Sequence, residues 1–535
     1  MPSAFRCAIA PLLAILLLCT PSSARVAANG DFAPSEAVAK QNGFQIFNAV
    51  HSAVRQWGSS LNHNGLSLFL ATVPEGVLLY HGTHTKEPPL GPEWLSFEIE
   101  HAENFARPRR QRPPPDVPSK PGPPPEHQLP LHGNTEIETE ERDDPRDSHG
   151  YLQIYQTARP VRLLYIDGMG AAKTSMGTLD TQDFLLRGNR STSFLGEGSR
   201  AADLCEIATS WGLQGVIRME AGFEIIKCDF SDSLRLVSSN QRPGDSDRGG
   251  TDRPLQTFEY MRAVSQRYHS IGSNRVAVDY SSMVSALFYP LNLTNPDPSY
   301  SHLPRLISST DAQLKAVKSR VADVVHDRRN GDHPIIDWQG VVDMVVARYA
   351  DKLIYMAEGV NSVETLMGEV NGLLNLHIDY AEDDKDFINA TKICTAFFTN
   401  HITPFTQEDY MVLAGIESVT ASICSALFAV RKIVVTDHNA DDKSLAAGRA
   451  ALQVLVKDLK WSKWKECGRC GYDEVCFVAM WPFGDKMSHE QPNCRNRTSV
   501  EGIPSGNSSY WPDFWWPRPK PESKGRLSIS GHGDL

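Results

Sequence analysis

Residues 77–83, Val-Leu-Leu-Tyr-His-Gly-Thr, form a short apolar run that ends in a histidine, a glycine and a hydroxyl. The apolar part predicts a buried strand, with the polar residues at its end. Glycine lets the backbone approach a ligand closely, and His81 and Thr83 can each make directional hydrogen bonds. We therefore expect a candidate site here, although a simple turn with a hydrogen-bonded histidine has the same pattern.

Two later segments carry related patterns. Residues 94–106 predict a short strand that starts at Trp94 and runs into a helix with apolar residues at helical spacing. Residues 204–217 predict a helix and a turn, and residues 221–230 predict a second strand, which carries Glu224. Each segment is short, so the prediction depends on their succession along the chain.

This succession resembles the ADP-ribosyltransferase fold, in the branch of diphtheria-like toxins and poly-ADP-ribose polymerases. The motifs that carry the resemblance are Tyr80-His-Gly-Thr83, Trp94-Leu-Ser-Phe97, His101-Ala-Glu-Asn-Phe-Ala106, Gly212-Leu-Gln-Gly-Val-Ile217 and Phe223-Glu-Ile-Ile226. The resemblance implies an α+β domain with a split sheet over residues 25–235. Two departures are evident: the segment between Thr83 and Trp94 is much shorter than the family's donor loop, and the family's stacking tyrosine has no clear equivalent.

The resemblance also implies roles for single residues, with NAD as a substrate rather than a permanently bound cofactor. Glu224 would be the catalytic carboxylate, with Glu220 as the alternative, and would stabilise positive charge on the ribose as nicotinamide leaves. His81 would hold the ribose. The remaining NAD-binding residues would be Gly82, Thr83, Trp94, Ser96 and Phe97. Of these, Gly82 would hold the carboxamide through its backbone. Trp94 or Phe97 would stack on nicotinamide, and Ser96 would support Glu224.

Three functions remain open at this point. The first is an NAD-consuming enzyme that transfers ADP-ribose to an acceptor protein or hydrolyses NAD; it predicts that His81, Phe97 and Glu224 converge in one cleft. The second is a non-catalytic secreted protein or effector that keeps the fold, in which these residues do not converge or the cleft is filled. The third is a cell-wall- or carbohydrate-associated protein, suggested only by the tryptophans near the C-terminus, Trp511, Trp515 and Trp516.

Residues 1–24 have the pattern of a secretory signal peptide. Arg6 precedes an apolar run from Ala8 to Leu18, and small residues follow as far as Ala24. The apolar run is too short to cross a bilayer, and no later segment approaches the roughly eighteen apolar residues that a transmembrane helix needs. We therefore predict a secreted protein without a transmembrane segment, similar to uncharacterised secreted fungal proteins.

The cysteine content agrees with export. Beyond the predicted signal peptide an even number of cysteines remains, which suits disulfides in an oxidising compartment. They are Cys205, Cys228, Cys394, Cys424, Cys467, Cys470, Cys476 and Cys494. Their pairing cannot be derived from the sequence, although Cys394 and Cys424 would link two predicted helices. The last four favour two disulfides over zinc because the second pair lacks CxxC spacing.

N-glycans are predicted at the Asn-x-Ser/Thr sequons of a secreted protein. The acceptor asparagines are Asn189, Asn292, Asn389, Asn496 and Asn507. Nucleic acid is not an expected partner, because the net charge is −11 and no dense stripe of Lys and Arg occurs.

Composition divides the rest of this 535-residue chain. Residues 107–149 are first proline-rich and then acidic, which predicts a disordered insert within the α+β domain. A polar linker is predicted over residues 236–255, a mainly α-helical domain over residues 256–466 and a disulfide-rich tail over residues 467–535.

Two further motifs have simple explanations. Residues 167–174 look like a phosphate loop, but Ala172 stands where the Walker motif needs the glycine before its lysine, so no nucleoside triphosphate site is predicted. Asp332 and His333 precede a helix that we expect to open at Pro334. We interpret them as capping residues because no second histidine stands at ligand spacing, and we predict no metal site.

Overall fold

The structure is a computed structural model, and it describes the following residues: 32–108, 149–188, 196–243, 257–329, 334–381, 387–435, 441–501 and 511. Several predictions from the sequence lie outside these residues. They concern the signal peptide, most of the insert over residues 107–149, the sequons at Asn189 and Asn507, Trp515 and Trp516, and the Asp332–His333 pair.

A mixed sheet of nine strands organises the described part of the chain up to residue 285. In chain order the strands are β1 Ser67–Val73, β2 Leu78–Thr83, β3 Glu93–Ser96, β4 Tyr151–Thr157, β5 Val161–Ile166, β6 Gly215–Met219, β7 Phe223–Lys227, β8 Leu234–Gln241 and β9 Ala277–Ser285. Their order across the sheet is β8-β4-β2-β3-β7-β6-β5-β1-β9. Neighbouring strands are antiparallel except for the parallel pair β5 and β6.

Most strands at the centre of the sheet are ones that the sequence predicts, but β6 is an exception, because it begins within residues 204–217, where the sequence predicts a helix and a turn. Every residue of β6 and β7 is buried, and five of the six residues of β5 are buried. Such near-continuous apolar runs are typical of strands that are covered on both faces. The strands predicted over residues 77–83, from Trp94 onward and within residues 221–230 are therefore confirmed.

The sheet extends past the boundary that composition predicts at residue 235. Strand β8 occupies the start of the predicted linker, and β9 comes from the segment that we expected to be helical. The side chains of β8 are mostly exposed, and it pairs with β4 through its backbone at the edge of the sheet. A polar edge strand of this kind lacks the apolar pattern from which strands are predicted.

Helices cover the sheet and form the region after β9. They are α1 Glu36–Gln41, α2 Gly43–Ser52, α3 Gln56–Leu61, α4 Ile99–Glu103, α5 Glu197–Ser210, α6 Thr257–Ser265, α7 Asp311–Asp327, α8 Trp338–Ile354, α9 Val363–Leu374, α10 Ile388–Ala396, α11 Gln407–Val435, α12 Asp442–Leu459, α13 Lys486–Glu490 and α14 Arg497–Glu501. The prediction that α8 opens at Pro334 is wrong: the helix begins at Trp338, and the Asp337 carboxylate caps it by accepting from Gly340 N–H.

Helix α11 is the centre of the helical region and packs against α1, α2, α10 and α12. Among the described residues it is the one helix long and apolar enough to cross a membrane, and 61% of its most apolar window is buried inside the protein. A buried core helix has the same composition, because apolar side chains surround it on most sides.

Disulfides form in the sheet domain, in the helical region and in the tail, so the prediction that these eight cysteines form disulfides is confirmed. The pairs are Cys205–Cys228, Cys394–Cys424, Cys467–Cys476 and Cys470–Cys494. The second pair joins α10 to α11. The last two pairs hold a small hairpin of β10 Glu474–Phe477 and β11 Asn493–Asn496, so the preference for disulfides over zinc is confirmed.

Candidate functional site

The strands that carry the histidine, serine and glutamate motifs lie side by side as β2, β3 and β7. Tyr80 pairs with Ser96, and Ser96 pairs with Glu224. Directly paired residues share one face of a sheet, and successive residues alternate between faces. Ser96 and Glu224 therefore lie on one face, and His81, next to Tyr80, projects from the other.

His81 is a core histidine in this structure. Its side chain is buried, and its Nδ1 lies 2.8 Å from the carbonyl oxygen of Trp94. The imidazole also packs edge-on against the rings of Trp94 and Phe230, with centroid distances of 5.3 and 5.6 Å. The structure does not bring it to Glu224.

Gly82 is needed for the packing of α4 on β2. A Cβ atom at this position would lie 2.0 Å from the carbonyl oxygen of Ala102 and 2.7 Å from the backbone nitrogen of Ala106. The next residue, Thr83, is buried and accepts a 3.3 Å hydrogen bond from Thr85 N–H. Backbone atoms of the helix and of the following loop therefore surround Gly82 and Thr83, two of the residues that the resemblance assigns to NAD binding.

The predicted residues on β3 and just after it are also engaged within the protein. The Trp94 indole packs against Phe105, with ring centroids 4.3 Å apart. The Ser96 hydroxyl donates to the carbonyl oxygen of Glu98 at 2.8 Å rather than to Glu224. Phe97 is buried beneath the Arg275 guanidinium, which lies 5.7 Å from its ring centre.

The side chains that do converge are His101, Glu220 and Glu224, which we call the carboxylate–histidine centre. One ring nitrogen of His101 and one carboxylate oxygen of each glutamate all lie within 4.8 Å of one another. His101 Nε2 is 3.9 Å from Glu220 Oε1 and 3.9 Å from Glu224 Oε2. All three side chains are buried, and neither His101 Nε2 nor Glu224 Oε2 has a hydrogen-bond partner among the described residues.

Three short elements position this centre. Glu224 is the second residue of β7, and Glu220 stands in the tight turn between β6 and β7. His101 projects from α4, and its Nδ1 lies 2.7 Å from the Tyr260 hydroxyl. A side chain at Gly222 would begin 3.1 Å from the same nitrogen, so glycine allows the turn to approach α4.

Cationic side chains hold the other oxygens of both carboxylates. Arg218 Nε donates to Glu224 Oε1 at 2.6 Å, and Lys173 Nζ donates to Glu220 Oε2 at 3.3 Å. Both cations also reach Glu197, at 2.5 Å from Arg218 and 3.6 Å from Lys173. The network continues through Arg200, whose guanidinium pairs with Glu197 as well.

The two carboxylates of the centre have different acidities. Burial raises the pKa of Glu220 to about 7, against the opposing effect of the Lys173 ammonium. Burial is also the largest effect on Glu224 and acts in the same direction, but Arg218, His101 and Lys173 together outweigh it, so the pKa of Glu224 lies below its usual value. A pair of carboxylates whose environments separate their pKa values is suited to acid–base chemistry.

A metal ion would fit these side-chain atoms less well than a proton. The imidazole and the two carboxylates are ordinary ligands for a divalent cation. However, Arg218 and Lys173 already neutralise the carboxylates at 2.6 and 3.3 Å, and a second set of positive charges would be repelled by them. The donor set therefore fits a proton better than a metal.

The cysteine-rich tail and α6 cover the centre. The Trp481 ring lies 4.8 Å from Lys173 Nζ, and the Phe483 ring contacts that of Tyr260 at 6.2 Å. Gln56 Nε2 donates to the carbonyl oxygen of Glu220 at 3.3 Å and lies 4.0 Å from the sulfur of Met480. Sequence reasoning found both glutamates but assigned no role to His101, Lys173 or Arg218.

Comparison with known proteins places this site within a shared region. A family model described as the YPL277C N-terminal domain matches residues 35–247, which include the whole centre. The chain is 26% identical over 545 residues to the Saccharomyces cerevisiae "Uncharacterized protein YOR389W", covering 82% of each chain. It is also 26% identical over 400 residues to "Uncharacterized protein YPL277C" of the same yeast, covering 60% of this chain and 76% of the relative.

No solved structure matches the chain. The relatives are yeast proteins, in agreement with the predicted similarity to fungal proteins, and their names describe no activity. The resemblance to ADP-ribosyltransferases therefore stays a prediction.

Titration of Glu220 gives a test of the electrostatics of the centre. Its pKa is raised from 4.5 to about 7 on folding, so the native state favours the protonated form. The resulting contribution to stability is present below pH 4.5 and is lost as the pH rises through 7. We expect the free energy of unfolding of the wild type, relative to Glu220→Gln, to fall by roughly 3 kcal/mol across this window.

Urea unfolding at intervals from pH 4.5 to pH 8 measures this difference. The exposed Glu364 lies on the first turn of α9, so Glu364→Gln is the matched control and should show no such trend. A difference between wild type and Glu220→Gln that stays constant or grows with pH would contradict the raised pKa.

Proposed function

We propose that the protein is an exported enzyme that cleaves the bond between nicotinamide and ribose in NAD. It would act either as an ADP-ribosyltransferase with a protein acceptor or as an NAD glycohydrolase. The observation that carries the proposal is the pairing of Glu224, whose pKa is lowered, with Glu220, whose pKa is raised to about 7, at one buried centre. The adjacency of the three motif-bearing strands β2, β3 and β7 supports it.

The two glutamates would have separate roles in this reaction. Glu224 is ionised at neutral pH and would stabilise the positive charge that develops on the ribose as nicotinamide leaves. Glu220 titrates near neutral pH and would accept the proton of the attacking water or acceptor group. The bond from ribose carbon to nicotinamide nitrogen breaks, and a bond to the attacking oxygen or nitrogen forms.

The proposal assigns the ribose contact to His101 rather than to His81. His101 Nε2 faces both carboxylates at 3.9 Å, whereas His81 projects from the opposite face of its strand. An imidazole in this position could hydrogen-bond to a ribose hydroxyl. A substrate would reach these atoms only after the residues around Trp481 and Tyr260 move aside.

Export is part of the proposal and rests on two features of the described residues. Four disulfides are formed, which suits an oxidising compartment. The sequon asparagines Asn292, Asn389 and Asn496 are all exposed and therefore accessible for N-glycans.

Nicotinamide release from NAD by the full mature chain tests the proposal. We expect Glu224→Gln to reduce release by about 100- to 1,000-fold, since it removes the charge that stabilises the transition state. Glu220→Gln should reduce the rate and abolish its dependence on a group that titrates near pH 7. Glu364→Gln is the control and should match the wild type.

His81→Gln separates this proposal from the roles implied by the motif alone. If His101 contacts the ribose, His101→Gln should lose release and a folded His81→Gln should keep most of it. The absence of release from folded wild type, together with the absence of a thermal shift with NAD, would overturn the proposal.

That negative result would favour a non-catalytic protein, the second candidate. Two observations favour it: Glu224 and Ser96 are 0% exposed and His81 is 1% exposed, and His81 does not converge with Glu224, which is what the non-catalytic function predicts. In such a protein the charged network would serve to fix the packing of the sheet. A carbohydrate-binding role has less support, because Trp511 is buried and its indole donates to the carbonyl oxygen of Phe483 at 3.0 Å.

A further inference from the structure

A second polar feature lies apart from the carboxylate–histidine centre. A cavity of about 460 Å³ is enclosed by α2, the carboxyl end of β5, residues 302–304 and the end of α12. This volume is in the range of sites for small organic ligands. None of the three residues of the carboxylate–histidine centre lines it, so the cavity is independent of the function proposed above.

Asp167 is the buried acidic group of this cavity. Its side chain is 6% exposed, and its carboxylate accepts a 2.8 Å hydrogen bond from Ser67 N–H. Within the described ranges, no Lys, Arg or His forms an ion pair with it, in contrast to Glu220 and Glu224. A buried carboxylate without a cationic partner is unfavourable, and burial raises the pKa of Asp167 to about 7.

Two further polar side chains of the cavity, Asn48 and Ser52, offer hydrogen-bond acceptors. One N–H of the Asn48 amide donates a 3.0 Å hydrogen bond to the carbonyl oxygen of Leu459, and the Asn48 oxygen can accept hydrogen bonds. The Ser52 hydroxyl is buried and has no hydrogen-bond partner in the described part of the chain. Carboxylate, amide oxygen and hydroxyl together suit a ligand group that is rich in N–H donors.

The remaining walls of the cavity are apolar, so the rest of the ligand is expected to be apolar as well. Leu61, Leu66, Leu287 and Leu303 are buried and line the cavity. An apolar body of a few carbon atoms would be desolvated against them. A bare metal ion would leave most of this space unfilled and would find few ligand atoms.

We propose that this cavity binds a small organic ammonium ion, with its ammonium group on Asp167 and its apolar body against the leucine side chains. The three N–H donors of an ammonium match the acceptor groups of the cavity, and its charge supplies the partner that Asp167 lacks. At the outer part of the cavity, Asp458 and Lys460 are exposed and carry charges of opposite sign. These residues therefore favour a positively charged ligand less strongly than Asp167 does.

Calorimetry with the full chain and two probes of the same shape tests the proposal. The probes are phenethylamine, which is cationic, and phenethyl alcohol, which is neutral. We expect the wild type to bind the amine at least 10-fold more tightly than the alcohol. Asp167→Asn keeps an acceptor for Ser67 N–H, and it should remove this preference without loss of folding.

A second variant keeps the proposal falsifiable if Asp167→Asn does not fold. Ala49 lines the cavity from α2, and Ala49→Phe should fill it and weaken the binding of both probes at least 10-fold. Binding of neither probe by the wild type would overturn the proposal. So would an equal or stronger affinity for the alcohol, or a preference for the amine that Asp167→Asn retains.

The two proposals fail separately. Nicotinamide release depends on Glu224 and not on Asp167, so folded Asp167→Asn should release nicotinamide at the wild-type rate. Loss of amine binding with unchanged release is the expected result for this variant. Conversely, an inactive wild type that still binds phenethylamine would leave the cavity assignment intact.

Discussion

Replacement of Arg218 by leucine is expected to lower the free energy of unfolding by about 3–5 kcal/mol, the usual cost of removing one partner of a buried ion pair. The Arg218 guanidinium is 1% exposed and contacts Glu224 at 2.6 Å and Glu197 at 2.5 Å. Without Arg218, the carboxylates of Glu224 and Glu197 would lie in a cluster that holds fewer cations than anions. Urea unfolding of the full chain at pH 7 measures the loss.

The expected loss has a pH dependence that distinguishes charge from packing. In the variant, the pKa values of Glu224 and Glu197 should rise, because Arg218 lowers both of them in the wild type. Protonation of the two carboxylates would then relieve the uncompensated charge, so the destabilisation should shrink as the pH falls towards 4. A loss of packing alone would not depend on pH.

Arg159→Leu is the control for this prediction. Arg159 pairs with Asp232 at 3.0 Å, but its side chain is 70% exposed. Surface ion pairs contribute about 1 kcal/mol at most, so this variant should be nearly as stable as the wild type. If Arg218→Leu were no more destabilised than Arg159→Leu, the buried network would not be held by charge.

The sequence predicts the middle of the sheet better than its edges, for a physical reason. Strands β5 and β7 are covered on both faces and must be apolar almost throughout, so they stand out in the sequence. Strand β6 is equally buried, but it is short and follows a helix closely, so the sequence predicts a turn at its first residues. Strand β8 lies at an edge and is held by backbone hydrogen bonds to β4, which any side chain permits. Composition therefore places the end of the sheet too early.

The residues of the candidate site likewise divide into those that the sequence predicts and those that only the tertiary structure brings together. The succession of motifs leads to Glu224, which lies within the apolar strand β7, and to Glu220 in the turn before that strand. Arg218 also had a local signal, since a charged residue within the apolar strand β6 predicts a buried partner, but nothing near it identifies which residue that partner is. His101 and Lys173 reach the centre from α4 and from the segment after β5, and only the tertiary structure joins them.

The cover of the centre could not be predicted from local patterns at all. Trp481 and Phe483 follow Glu220 by more than 250 residues and belong to a disulfide-rich tail with no motif that points to the sheet. Their contacts with Lys173 and Tyr260 tie the tail to the site that the N-terminal part forms. The tail is therefore part of the architecture of the site rather than a separate module beside it.

Replacement of Gly82 by alanine is expected to destabilise the protein by about 3 kcal/mol or more. The new Cβ atom would lie 2.0 Å from the carbonyl oxygen of Ala102, and backbone atoms of α4 cannot yield as a flexible side chain can. Overpacking of this kind commonly costs 1–3 kcal/mol, and a backbone clash lies at or above the upper end of that range. Thermal and urea unfolding measure the change.

Gly368→Ala is the matched control. Gly368 lies within α9, and an added Cβ atom there would meet nothing within 4 Å. Alanine is the better helix former, so this variant should be more stable than the wild type by about 0.5–1 kcal/mol. The opposite signs expected for the same substitution separate the steric effect from any general effect of replacing glycine.

The Gly82 variant also tests the link between fold and proposed chemistry. Helix α4 carries His101, so an α4 displaced by the new methyl group would move that imidazole away from Glu220 and Glu224. Folded Gly82→Ala should therefore lose nicotinamide release while Gly368→Ala keeps it. A Gly82→Ala protein with wild-type stability would mean that α4 has room to shift on β2. Full activity in that protein would mean that the position of His101 on α4 does not control the reaction.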